Sequence, residues 1–340
     1  MSPIKRLVRR VGRKLKALVP EPPLPAGLVL TIVEEDLDQP VRSVWCAPAF
    51  GVVFDAKGRV FAQTARSAQR LTPTLDRLPG ARREDGETRL ALPENAPTLP
   101  AGTVFMGWGA AHNYAQFLLG ALPTLMTVEA EVLERFPPIA PPLSPWHTDL
   151  LTLAGARSPT VIDAPLVGLT EAMVLASPTL GPGLDVVRTR VLATVPPTQA
   201  RRIYVSRQGS LKATQETEAW LEEGLAARGF TIVRPETSSV RELVALFRGA
   251  EVVVATSGTI LANVLFCAPG AKVIEIQPAE PAEPWTRDLT AQVGAAWHGF
   301  VSGTGVILPE VPLEPRLRPA SAYGWRLDVT AFLAFLDGLL

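Results

Sequence analysis

The chain has 340 residues, 47% hydrophobic and 19% charged, enough to bury a substantial core in one large α/β domain or two domains. Its 33 basic and 33 acidic residues cancel, so no overall field favours nucleic acid as a partner. With only two cysteines, Cys46 and Cys267, a disulfide framework or a Cys-rich zinc site is excluded, and a reducing, cytoplasmic compartment is expected.

The first twenty residues carry Lys5, Arg6, Arg9, Arg10, Arg13, Lys14 and Lys16 without an acid. Ile4, Leu7, Val8, Val11, Leu15, Leu18 and Val19 recur at helical spacing and form one apolar stripe. The segment is too short and too charged to span a bilayer, and it lacks a secretory cleavage site. Three readings stay open: a cationic helix through residues 4–19 on an anionic inner membrane surface, a solvated basic tail, or an organellar transit segment. The Pro-rich residues 20–26 then separate it from the body, so residues 1–26 are expected to stand apart.

From Gly27 to Ala62 the pattern is short strands, with a hairpin turn at Asp55-Ala56-Lys57-Gly58. Residues 72–102, rich in Pro, Arg, Glu and Gly, read as a long surface excursion. A short strand is expected over Val104–Gly107. A helix follows over Asn113–Glu134, kinked near Pro123. Residues 137–145 are the most Pro-dense stretch and read either as a boundary or as a connecting loop. A helix near Thr148–Ala154, strands around 160–162 and 172–175, and a helix near Leu184–Ala193 complete a first domain, 27–196. Pro196-Pro197 marks the border of a second, 197–340.

In that second part strands at Arg202–Ser206, Phe230–Val233, Val252–Ala255 and Lys272–Ile276 alternate with helices at Glu216–Arg228 and Ser239–Phe247. The first helix is closed by Gly229 and the second is capped by Ser238. An apolar helix over Asp328–Leu340 ends the chain. This alternation predicts a parallel sheet with helices on both faces.

Strand, Ser-Gly loop, helix and strand follow each other in VVVATSGTILANVLFCAPGAKVIEIQP, residues 252–278. Free backbone N–H groups at such a strand-to-helix turn suit phosphate, which makes Ser257, Gly258 and Thr259 candidates beside a plain βαβ reading. Arg207 falls just past a predicted strand at the same sheet edge, and Lys212 follows it. A guanidinium and an ammonium there would neutralise a diphosphate, or they are simply solvated cations. Glu275, inside an apolar run, needs a partner: a ribose or sugar hydroxyl, or a structural arginine. His112 precedes a helix capped by Asn113, and its imidazole is either a general base or a packing residue. The three histidines, His112, His147 and His298, form no helical metal pair. Neither a nucleophile-elbow, a Walker A nor a dinucleotide fingerprint occurs, which argues against a dehydrogenase, and no metal or cofactor is expected.

Three stretches taken together, residues 112–125, 201–230 and 243–278, resemble glycosyltransferase family 61, which includes capsular-polysaccharide biosynthesis proteins. The resemblance implies a two-lobed, Rossmann-like fold of the GT-B type, with the donor on the C-terminal lobe and the acceptor in the cleft. It implies an inverting, metal-independent transferase that uses a nucleotide sugar and a glycan or lipid-linked acceptor at the cytoplasmic face of the membrane. Arg207 matches the family arginine, Lys212 stands near a second, and Gln215-Glu216 replace an Asn-Glu pair. Gly258, Leu261, Asn263 and Phe266 match the glycine-rich loop and its helix, and Glu275 matches the glutamate of the last strand. Asn113, Tyr114 and Gln116 fall on the acceptor side. Histidines usual in the family are replaced by Gln116 and Ser257, so the alternative is a non-catalytic relative that binds glycan or nucleotide.

Overall fold

The computed structural model describes residues 27–34, 40–62, 74–175, 180–208, 214–215, 217–277, 284–302, 306–307 and 324–340. The basic segment 4–19, the spacer 20–26, Lys212 and Glu216 lie outside the described residues. Among the described residues no helix is long and apolar enough to cross a membrane.

Ten strands build the first sheet: β1 (Leu28–Glu34), β2 (Val41–Ala47), β3 (Val52–Asp55), β4 (Arg59–Ala62), β5 (Ala81–Glu84), β6 (Glu87–Leu90), β7 (Thr98–Val104), β8 (Pro138–Ala140), β9 (Thr160–Val161) and β10 (Val167–Val174). Their order is β5-β6-β1-β4-β3-β2-β10-β7-β8-β9. Strands β10, β7, β8 and β9 are parallel neighbours, with helices in the β7–β8 and β8–β9 connections, and form the sheet's parallel half. Across β10·β2, β2·β3, β3·β4, β1·β6 and β5·β6 the pairing is antiparallel. The sheet is therefore mixed, where a Rossmann-like lobe was expected.

The predicted hairpin is present. Asp55 accepts from the backbone of Lys57 and Arg59 at 2.9 and 3.0 Å, and Gly58 (φ +82°) turns the chain so close to Val29 that a Cβ would fall 1.9 Å from its carbonyl. The expected surface excursion over 72–102 instead contains β5, β6 and most of β7. Asp85-Gly86, both at positive φ, forms the tight turn that pairs the charged strands ARRE and ETRL. The Pro-dense stretch also holds a strand, β8, buried between β7 and β9.

The long helix expected over 113–134 is divided. Trp108–His112 is a separate short helix, followed by Tyr114–Gln116, a π-turn over Phe117–Ala121, a last α-turn over Leu122–Leu125, and a distinct helix at Ala130–Arg135. Pro123 has no N–H to give the carbonyl four residues back, and that oxygen, on Leu119, accepts from Gly181 N–H at 2.6 Å. A Cβ at Gly181 would meet the Gly120 carbonyl at 2.8 Å, so only glycine approaches this closely. Pro145–Ala154 begins with its proline at the first turn, where no N–H is needed.

The second sheet is parallel throughout: β11 (Arg202–Val205), β13 (Thr231–Val233), β14 (Val252–Thr256), β15 (Lys272–Gln277) and β16 (Ala296–Val301), in order β13-β11-β14-β15-β16. A small third sheet joins β12 (Thr214–Gln215), β18 (Gly324–Trp325) and β17 (Val306–Ile307). Period-two alternation divides the parallel sheet's faces. Ile203, Val205, Val253, Ala255 and Val273 face one apolar cluster; Tyr204, Val252, Val254, Ile274 and Ile276 face another with Leu221, Leu225, Val329, Phe332 and Leu336. Helices thus cover both faces, as expected. Ser239 rather than Ser238 caps Val240–Gly249, through a capping box with Glu242. The helix Trp285–Gln292 and the fifth strand β16 extend the predicted set.

The two sheets share hydrocarbon. One cluster of buried side chains includes Phe105, Phe117, Leu118 and Leu122 from the first half and Phe247, Leu261, Phe266 and Val273 from the second. Polar ties accompany it: Arg188 donates to the Leu265 and Cys267 carbonyls at 2.8 and 2.7 Å, and Arg241 to that of Thr194 at 2.8 Å.

Candidate functional site

In the parallel sheet the chain moves outward in opposite directions from between β11 and β14. Such a reversal of strand order, at the carboxyl ends of the strands, is the usual ligand position in open α/β sheets. Ser206 and Arg207 leave β11 at that point, and Ser257, Gly258 and Thr259 leave β14. An added Cβ on Gly258 would stand 2.6 Å from Arg207 Nη1, so the guanidinium lies directly against the glycine. The Ser-Gly loop opens a 3₁₀ helix, Thr259–Phe266, with no side-chain cap, and Thr259 is exposed at its start.

The β11 turn is held by two carboxylates one helical turn apart on Glu218–Ala226. Glu218, 6% exposed, accepts from Arg207 N–H at 2.8 Å and from Tyr204 Oη–H at 2.6 Å. Burial, then the Glu218 charge and hydrogen bond, push the Tyr204 phenol well above its ordinary range, so it stays a donor. Glu222 accepts from Ser206 Oγ at 2.5 Å and from both terminal nitrogens of Arg234 at 2.9 Å. Partial burial alone would raise its carboxyl, but the Arg234 and Ser206 hydrogen bonds and the guanidinium charge outweigh this and hold it below the ordinary value.

On β15, Glu275 is 1% exposed, and each oxygen accepts from a neutral donor: Oε1 from Ser257 Oγ–H at 2.7 Å, Oε2 from Trp297 Nε1–H at 2.9 Å. The structural arginine is thus replaced by a serine and an indole. Ser257's hydroxyl goes to this carboxylate and does not cap the helix.

The segment after β7 lies at the carboxyl end of the first sheet's parallel half. Asn113 caps its helix as expected, accepting from Gln116 N–H at 3.0 Å. His112 ends the short helix before it and is exposed; its ring stacks 3.9 Å from that of Trp108, which stacks on Phe50. His112 Nδ1 lies 2.9 Å from the Trp108 carbonyl. A carbonyl only accepts, so Nδ1 carries a proton, and the neutral form of the ring has its lone pair on Nε2. His147 has the other neutral tautomer: Nδ1 accepts from Ser144 N–H at 3.1 Å, and Nε2–H donates to Ala110 O at 3.1 Å. Burial holds its pKa down, and it fixes the helix that carries His112.

The two segments meet. Tyr114–Gln116 packs against the 3₁₀ helix, and Tyr114 Oη–H donates to Asn263 Oδ1 at 2.9 Å. Asn263 is fully enclosed, its Nδ2 donating to the Ile260 carbonyl at 3.0 Å. The amide expected to hold donor instead ties Tyr114, expected on the acceptor side, to the Ser-Gly helix. Gln116 is exposed and folds over Gly109, where a Cβ would fall 1.6 Å from its Oε1.

Glu218, Glu222, Arg234 and Trp297 escaped the sequence reading. The i, i+4 acids on one helix were a usable signal, because one faces a tyrosine alternating to the same side of β11. Among the described residues no group of three or more His, Cys, Asp or Glu could hold a metal ion. Cys267 is buried, and its thiol is pushed up to about 12 by burial, so it is an inert apolar residue.

Residues 114–274 match the family model described as Glycosyltransferase 61. The matched stretch begins at Tyr114 and ends one residue before Glu275, and so includes Arg207 and the whole Ser-Gly loop. No curated protein matches the chain.

Proposed function

We propose that the chain, whose residues 114–274 match the Glycosyltransferase 61 model, transfers a sugar from a nucleotide-activated donor to a glycan acceptor. The observation that carries this reading is the Arg207 guanidinium seated against Gly258 where the strand order reverses between β11 and β14. A diphosphate placed there meets a cation and the backbone N–H groups of a loop without side-chain caps. Arg207 and Gly258 hold the phosphates, with Thr259 at the rim; Lys212 is assigned as a second cation. Glu275 and Asn263 support this loop from beneath.

On the acceptor side His112 Nε2 is the base. It takes the proton of an acceptor hydroxyl as that oxygen bonds to the anomeric carbon from the face opposite the diphosphate. The carbon–oxygen bond to the diphosphate breaks, its electron pair leaves with the phosphate, and Arg207 offsets the charge, inverting the anomeric centre. Asn113, Tyr114 and Gln116 shape that side. The acceptor is a cell-surface or capsular glycan, or its lipid-linked precursor, met at the cytoplasmic face of the inner membrane through residues 4–19. The replacement of two family histidines by Gln116 and Ser257 favours a second reading, a non-catalytic module that binds nucleotide or glycan.

A thermal-shift panel of nucleoside diphosphates, nucleotide sugars and glycans separates the two. The transferase reading expects stabilisation by one nucleoside diphosphate and its sugar conjugate, followed by slow hydrolysis of the conjugate. Stabilisation by glycans alone would sink it.

A further inference from the structure

Ser257 stands at the proposed donor site, yet its hydrogen-bond polarity is wrong for phosphate. Its proton is committed to Glu275 Oε1 at 2.7 Å. The carboxylate cannot turn to release it, because Oε2 is held by the Trp297 indole at 2.9 Å and the side chain is 1% exposed. What the partly exposed serine offers outward is therefore an oxygen lone pair backed by a buried negative charge. Such a group repels a phosphate oxygen and accepts from an O–H. Gly258, one residue further on, and the Arg207 guanidinium against it supply the opposite polarity.

On the reading that nucleotide binds at this site, we infer that Ser257, polarised by Glu275, reads a hydroxyl of the bound nucleotide sugar and makes no bond to its phosphates. The hydroxyl belongs to either the ribose or the transferred sugar; the chemistry is the same. Glu275 acts through Ser257 and is a positioning residue.

Glu275→Gln supplies a test that a merely structural role would not satisfy. The indole donates only, so the glutamine oxygen must face Trp297, and its amide N–H₂ must face Ser257. The serine then accepts from residue 275, and its own proton turns outward. One substitution of equal size converts the site from acceptor to donor.

The experiment is calorimetric titration of wild type, Ser257→Ala, Glu275→Gln and Arg207→Ala. The ligands are inorganic pyrophosphate, the tightest binder among ADP, CDP, GDP and UDP, its 2′,3′-dideoxy form, and its hexose conjugate. Ser257→Ala is expected to leave pyrophosphate binding unchanged and to weaken a hydroxyl-bearing ligand roughly three- to tenfold, the range of one hydrogen bond. Glu275→Gln is expected to weaken that ligand similarly while pyrophosphate binds as tightly as before or tighter. Loss already present with the nucleoside diphosphate but absent with its dideoxy form assigns the ribose; loss confined to the hexose conjugate assigns the sugar. The inference is overturned if Ser257→Ala weakens pyrophosphate as Arg207→Ala does, or if both variants bind every ligand as wild type does. Arg207→Ala losing all the phosphates in those cases leaves the nucleotide reading standing. A wild type that binds none of the ligands removes both.

Discussion

In the ten-stranded sheet charged side chains are spread along an exposed margin, whereas in the five-stranded sheet they converge beneath one edge. On the margin, Arg83 reaches Asp76 at 2.7 Å in water, and half-buried Arg89 reaches the exposed Glu84 at 3.7 Å. These charges keep the β5–β6 hairpin from pairing with another chain and contribute little to stability. At the parallel sheet's edge, Glu218, Glu222 and Glu275 are buried or nearly so and fix the backbone of Arg207 and the hydroxyls of Ser206 and Ser257. Withdrawn from water, such groups must find partners, and their partners are the loops that leave β11 and β14. The same residue types thus guard one sheet and organise the other.

The largest expected effect tests whether the two regions are separable at all. Phe117→Ala, at a fully buried ring in the cluster shared by both sheets, is expected to cost about 3–5 kcal/mol in urea unfolding. Loss in one cooperative transition fits the shared core; two transitions, only one of them shifted, would disprove it. His112→Ala is expected to lower turnover about 10²- to 10⁴-fold with donor affinity intact, the range of a general base. Undiminished turnover removes it from the mechanism. Arg207→Ala is expected to weaken nucleoside diphosphate binding roughly 10- to 100-fold, as for a charged hydrogen-bonding group. Equal affinity in a titration would refute its role.

The fourth prediction concerns acid. The Glu222 carboxyl in the folded protein lies below its ordinary 4.5, so its contribution is fully present above that value and lost as pH falls through the lower, folded one. Glu222→Gln should therefore flatten the acid limb of the stability curve while lowering stability at neutral pH by about 1 kcal/mol, the partly exposed pair being screened. An unchanged acid limb would mean that Arg234 is not its counter-charge. Smallest of all, Arg83→Ala on the exposed margin should leave the urea midpoint where it is; a clear shift would show that the margin is more than solvated charge.

The parallel sheet was the more legible half because strands buried on both faces read as apolar runs between turn residues, as VVVAT and KVIEI do. The mixed sheet was less so. Its edge strands ARRE and ETRL bury little and look like loop, and only the Asp85-Gly86 turn betrays them. The proximity of Arg207 to Gly258 was foreseen from their equivalent places after two strands. The partners of Glu275 were not, because Trp297 comes from a fifth strand, AWHGFV, whose weak alternation hides it. His112 was placed on a loop; the five residues between Gly107 and Asn113 are too few for a periodic signal, yet they form a helix.

Pro123 settles a competition that any other residue would reopen. A side chain with a backbone amide at that place would contest the Leu119 oxygen with Gly181, tightening the helix at the expense of the strand-to-helix connection that now hangs from it. The ring is thus less a flaw in the helix than the reason a distant piece of chain has somewhere to fasten.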